Sequence, residues 1–64
     1  MKTTFIQSII ENSRCGITTY HGSYAYKANV HTGEILRCRR GDEDREWIDN
    51  DGNVFGAWTL VAHA

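Results

Sequence analysis

Two cysteines, three histidines and eight carboxylates are the side chains here that could do chemistry. Cys15, His21, His31 and Cys38 are the residue types of a zinc site. Their spacing lacks the close pairs by which zinc modules preassemble their ligands. The stretch Asp49-Asn50-Asp51-Gly52-Asn53 has the composition of a calcium loop. An EF-hand loop begun at Asp49 needs glycine at its sixth position and glutamate at its twelfth. Val54 and Leu60 stand there. Nucleophilic catalysis needs Cys or Ser aligned with His and an orienting acid, and no local signature of that kind is present. The expectation is a non-enzymatic chain with no catalytic residue, no metal and no cofactor.

What remains is surface chemistry. The formal net charge is −1, and the charges are segregated. Residues 14–40 carry Arg14, Lys27, Arg37, Arg39 and Arg40 against Glu34 alone. Residues 41–64 carry Asp42, Glu43, Asp44, Glu46, Asp49 and Asp51 against Arg45 alone. The plain reading is that the two groups neutralise each other across neighbouring strands. The functional reading is an acidic surface offered to a basic partner, which imitates nucleic-acid phosphates and competes for a basic groove.

Aromatic residues sharpen both readings. Tryptophan and tyrosine dominate interface hot spots when exposed. Asp42, Glu43, Asp44 and Glu46 with Trp47 and Trp58 therefore form a candidate partner-binding surface. The acids would steer, and whichever tryptophan is exposed would anchor. An alternative candidate is a single-stranded nucleic-acid platform of Tyr24, Tyr26, Arg37 and Arg39, with bases on rings and arginines on phosphates. The slightly acidic total and the lack of an RNA-binding sheet motif weigh against it.

The elements that must position these residues follow from periodicity. Phe5, Ile6, Ile9 and Ile10 keep helical spacing, which predicts a helix over residues 4–15. Thr4 and Gln7 suit a capping box, and Gly16 suits a left-handed stop. Beyond it, short apolar runs are interrupted by Tyr20-His21-Gly22, His31-Thr32-Gly33 and Asn50-Asp51-Gly52, the punctuation of tight hairpins. Strands are predicted over 17–20, 23–30, 34–40, 45–49 and 53–61, with a bulge or bend at Gly56. His63 and Ala64 are expected to fray.

Register decides which side chains share a face. A three-residue loop at His31-Thr32-Gly33 places Tyr24, Tyr26, Ala28 and Val30 with Leu36 and Cys38. Lys27, Asn29, Arg37 and Arg39 then take the other face. A two- or four-residue loop moves the pairing by one, and Tyr24 and Tyr26 lie beside Arg37 and Arg39. The glycine at the third loop position favours the first register.

The expected fold class is α+β: one N-terminal helix packed on a five-stranded antiparallel β-meander, a single small domain over 1–64. With 41% hydrophobic and 23% charged residues, the composition is globular, and no apolar run is long enough for a membrane helix. No export signal is legible, so a cytoplasmic chain is expected, with Cys15 and Cys38 as free, at least half-buried thiols. A chain this short buries only about 60% of its unfolded surface, which leaves little material to line a pocket. One helix cannot cover both faces of a sheet whose last strand is apolar on both. Some of Trp47, Phe55 and Trp58 must then meet water, another protein or a second copy. The expected role is a small protein-binding inhibitor, adaptor or regulator of a larger enzyme or complex. In general style it is similar to the small proteins that phages and mobile elements use to block host machinery.

Overall fold

The computed structural model describes residues 1–64. A helix, α1, spans Thr3–Arg14. Six strands follow: β1 (Thr19–His21), β2 (Tyr24–Ala28), β3 (Glu34–Arg39), β4 (Glu46–Ile48), β5 (Val54–Gly56) and β6 (Thr59–His63). They form two antiparallel sheets, one ordered β1-β2-β3-β6 and one holding only β4 and β5. The α+β class is as expected. The single five-stranded meander is not: the predicted strand over 53–61 breaks at Ala57–Trp58. Its first part pairs with β4 and its second with β3. No helix is long and apolar enough to cross a membrane.

The ends of α1 show what the local sequence dictates. Gly16 takes φ +73°, the left-handed stop. The Gly16 N–H donates to the Ser13 carbonyl at 3.1 Å and the Ile17 N–H to that of Asn12 at 2.8 Å, a Schellman closure. The N-terminus corrects the sequence reading. Lys2 occupies the N-cap with no side-chain hydrogen bond, so Thr4 and Gln7 form no capping box. Helix formation therefore rests on packing of the apolar stripe.

That stripe makes the core. Ile9, Tyr26 and Ile35 are buried together, with Phe5, Ile6, Ile10, Ala28, Val61 and Ala62 packed around them. Phe5 meets Tyr26 edge-on, with ring centroids 5.0 Å apart. Two polar contacts tie the helix end down. Asn12 Nδ2 donates to Thr19 Oγ1 at 2.9 Å, and the Ala28 N–H donates to Ser13 Oγ at 2.8 Å. The Ala28 amide points toward the β1 side, where β1 has already ended, and the serine supplies the partner that a strand would have given.

The register between β2 and β3 is the second correction. Tyr24 pairs with Arg39, Tyr26 with Arg37 and Ala28 with Ile35. The tyrosines thus share a face with the arginines, while Leu36 and Cys38 point the other way. The cause is Asn29. Its Oδ1 accepts the N–H groups of His31 (3.0 Å) and Thr32 (3.3 Å). Its own N–H donates to the Glu34 carbonyl at 2.9 Å. Asn29 thereby joins the ladder and leaves a four-residue loop, Val30–Gly33, where three residues had been expected. Val30 leaves the strand for the loop and is exposed.

A bulge in β6 completes the layer. The partner shifts between Ile35↔Ala62 and Leu36↔Leu60, so Val61 is the extra residue. Val61 and Ala62 then both reach the helix side. His63 and Ala64 are held rather than frayed: the Ala64 N–H donates to the Gly33 carbonyl at 2.7 Å. Gly33, at φ +81°, permits this approach, because a Cβ there would sit 3.2 Å from the Ala64 oxygen.

The core is small enough that one side chain matters. Ile35→Ala is expected to destabilise the fold by about 2–4 kcal/mol. Ile48→Ala, on the exposed β4, is expected to cost less than about 0.5 kcal/mol. Urea denaturation followed by circular dichroism measures both, and equal costs would show that Ile35 is not the core residue described.

Candidate partner-binding surface

β4 and β5 form an arm set apart from the main sheet. All six of their strand residues are exposed. Trp47 pairs with Phe55 on one face and Ile48 with Val54 on the other. Their exposures are 46, 52, 73 and 59%, so both faces are apolar and largely open to water, with the Arg45 guanidinium 5.5 Å from the Trp47 ring centroid. The molecule measures 40 × 24 × 21 Å, longer on one axis than a compact body of this size. A lone two-stranded hairpin is marginally stable in water at best, so this one needs reinforcement at its tip and base.

The tip supplies the first. Asp49 Oδ1 accepts the N–H groups of Asp51 (2.9 Å) and Asn53 (2.8 Å). The Asp49 N–H donates to the Asn53 carbonyl at 3.0 Å. These bonds close the three-residue loop Asn50–Gly52, with Gly52 at φ +83°, as the turn residues predict. The Asn53 N–H is the main reason the Asp49 carboxyl titrates below the usual aspartate value, with the bond from the Asn53 side chain adding to it.

The base supplies the second. Trp58 Nε1 donates to the Glu43 carbonyl at 2.9 Å, and the Lys27 ammonium lies 4.4 Å from the Trp58 ring centroid. Glu43 Oε1 in turn accepts the Gly41 N–H at 2.8 Å. The Ala57 N–H donates to the Arg45 carbonyl at 3.2 Å and extends the arm's ladder. Trp58 is therefore the pin that fixes the arm to the body, and Trp47 is the exposed tryptophan.

The candidate residues thus divide by position. Asp42, Glu43 and Asp44 lie in the loop leading into the arm, and Glu46 and Trp47 lie on it. Asp44 and Glu46 are exposed, whereas Asp42 and Glu43 are half-buried. Asp42 lies 3.7 Å from the exposed Arg45, a solvent-screened pair of small energetic weight. Sequence reasoning missed Ile48 and Val54 as surface residues. Their pairing follows from the three-residue loop, but only Trp47, Phe55 and Trp58 were singled out in this hairpin.

The alternative set is also brought together, on the helix face. Tyr26 is 7% exposed. The Arg37 guanidinium lies 4.3 Å from the Tyr24 ring centroid, and Arg39 is exposed beside it. One ring is in the core and the other carries an arginine, so neither is open as a stacking platform.

The cysteines differ from each other. Cys38 is buried, whereas Cys15 is exposed at the helix end, not half-buried as expected, because it takes the C-cap and points off the apolar stripe. Burial, with Glu43 and Asp42 nearby, pushes the Cys38 thiol pKa up. No three His, Cys, Asp or Glu side chains converge on a common point for a metal ion. Comparison with protein-family models, curated proteins and solved structures gives no match for this chain.

Two outcomes follow. A thiol reagent at neutral pH should modify Cys15 and spare Cys38 until denaturant is added; mass spectrometry reads this, and equal labelling of both would contradict the placement of Cys38. The Asp49 carboxyl is depressed in the folded chain, so its contribution is present above the unfolded value and is lost as pH falls through the lowered folded value. The arm is expected to loosen below about pH 4. Loss of Trp47–Phe55 cross-strand NOEs should report this, and Asp49→Asn should shift or abolish the transition.

Proposed function

We propose that this chain is a small, non-enzymatic protein-binding module that inhibits or regulates a larger protein or complex. The β4–β5 arm is the docking element. The observation that carries this reading is an isolated hairpin with two apolar faces, Trp47/Phe55 and Ile48/Val54, both open to water. A hairpin laid flat on a partner buries one face. A hairpin with two apolar faces gains most in a groove that covers both, at about 25 cal/mol per Å² of apolar surface removed from water.

Charge specifies the groove. Asp42, Asp44, Glu46, Asp49 and Asp51 frame the arm, with Arg45 as its lone cation. Such a frame favours a groove with a basic rim, steers encounter and opposes acidic competitors. It also opposes pairing of one arm with the arm of a second copy, because like charges would face each other. A basic, apolar-lined groove is the kind of surface that proteins use to hold nucleic acid, and occupying it would block access.

The test begins with affinity capture after nuclease treatment and continues with measured binding to the captured protein. Trp47→Ala with Phe55→Ala should weaken binding by at least about thirtyfold, the scale of a hot spot. Asp42→Lys with Asp44→Lys should slow association and flatten its salt dependence. Binding unmoved by both double variants would remove the arm from the interface. Loss on Arg37→Glu with Arg39→Glu alone, or loss of all captured material on nuclease treatment, would transfer the function to the tyrosine–arginine face.

A further inference from the structure

A cavity of about 420 Å³ opens on the helix face of the main sheet, lined by Met1, Lys2, Phe5, His21 and Tyr26. The β4–β5 arm contributes nothing to it. The volume falls in the range of small-molecule sites, which are mostly apolar with a few placed polar groups. Phe5 is at its centre. The Phe5 ring tilts 58° against His21, with centroids 5.2 Å apart, and meets Tyr26 edge-on. Three rings set at angles to one another make a wall on which a further flat ring packs well.

Two features of this cavity are left unused by the chain itself. Tyr26 is 7% exposed, yet its hydroxyl takes part in no hydrogen bond of the chain. No polar atom is both buried and unpaired, so that oxygen is not sealed in the core. It lies where the otherwise buried ring opens into the cavity that it lines. The second feature is the start of α1. Lys2 takes the N-cap with no side-chain hydrogen bond, and the first turn contains no acid. The Thr3 and Thr4 N–H groups have no carbonyl one turn earlier in the helix. A capping oxygen or a carboxylate ordinarily meets such groups, and here a cation stands in that place. The neighbouring strands carry the same sign. The cross-strand rows His21–Tyr24–Arg39 and Thr19–Tyr26–Arg37 hold no carboxylate.

We propose that this cavity binds a small planar aromatic carboxylate. Its carboxylate accepts hydrogen bonds from the N–H groups that open α1 and pairs with the Lys2 ammonium. Its ring packs on Phe5 and His21, and a polar atom on the ring's far edge bonds the Tyr26 hydroxyl. The helix start alone suits any anion. The aromatic wall and the unpaired hydroxyl come from other elements, β1 and β2, and they restrict the ligand to an anion joined to a flat ring. Two free N–H groups and one ammonium match a singly charged group with two acceptor oxygens. The site shares no residue with the arm, so it stands or falls independently of what the arm binds.

Indoleacetate is the probe, because its ring N–H can donate to the Tyr26 oxygen. Titration followed by NMR should give saturating shifts at Lys2, Phe5, His21 and Tyr26 by low millimolar concentration. Acetate and indole, each holding half of the ligand, should bind at least about tenfold more weakly. Lys2→Asp places a capping carboxylate at the N-cap, which should raise the thermal midpoint. It also fills the anion position from within the chain, so affinity should fall at least about tenfold. A variant that is more stable than wild type cannot lose binding by unfolding. Tyr26→Phe should weaken indoleacetate about fivefold, the scale of one hydrogen bond, and leave naphthylacetate, which lacks the ring N–H, unchanged. Indoleacetate shifts that do not saturate would overturn the proposal. So would acetate or indole binding as tightly as indoleacetate, or a Lys2→Asp chain that binds as wild type does.

Discussion

One twelve-residue helix can cover one face of a four-stranded sheet and no more. Every other feature of the molecule answers to that limit. The helix side takes the apolar residues that α1 can reach, and a bulge in β6 turns both Val61 and Ala62 toward it. The opposite side has small residues at its centre, Ala25 and Cys38, and both are buried within the single chain. Aromatic rings there are shielded by cations laid across them, Arg40 on Tyr20 and Lys27 on Trp58. Stacked cations cover apolar surface with their stems while keeping charge in water.

The chain also carries an arm separate from that sheet. Between Arg39 and Thr59 the chain leaves the main sheet and returns to pair with β3. Those residues add no strand to the main sheet. They pair with each other instead, and two local devices hold the hairpin: the Asp49 carboxylate at the tip and the Trp58 indole at the base. Both bind backbone groups, which fixes the arm's shape and leaves its apolar side chains free. The residues that hold the arm are thus different from the apolar ones that stand exposed on it.

Much of this was legible in the residues themselves. The apolar spacing from Phe5 to Ile10 and the stop at Gly16 predicted α1 nearly to its ends. Asn50-Asp51-Gly52 predicted a three-residue loop that the structure contains. A bulge or bend at Gly56 was expected, whereas β5 ends there, since a broken strand and a bent strand have the same local sequence. The loop after β2 was misread for a specific reason. His31-Thr32-Gly33 has the pattern of a three-residue turn, and only the side chain of Asn29, reaching forward to two amides, makes the loop four residues long. One residue of difference carried every side chain of β3 to the other face relative to β2.

The candidate surface shows the same division. The sequence by itself determined the ingredients: segregated acids and bases, two tryptophans in the last third of the chain, and more apolar residues than one helix can bury. It also determined the local turns, because turn geometry depends on a few adjacent residues and their own hydrogen bonds. Only the tertiary structure decided which tryptophan is pinned and which is free, that Ile48 and Val54 face water, and that Tyr26 lies in the core while Arg37 lies on Tyr24. Those outcomes depend on which strand pairs with which and in what register. Such pairings join residues far apart in the chain, and their free energy comes from burial that no local stretch contains.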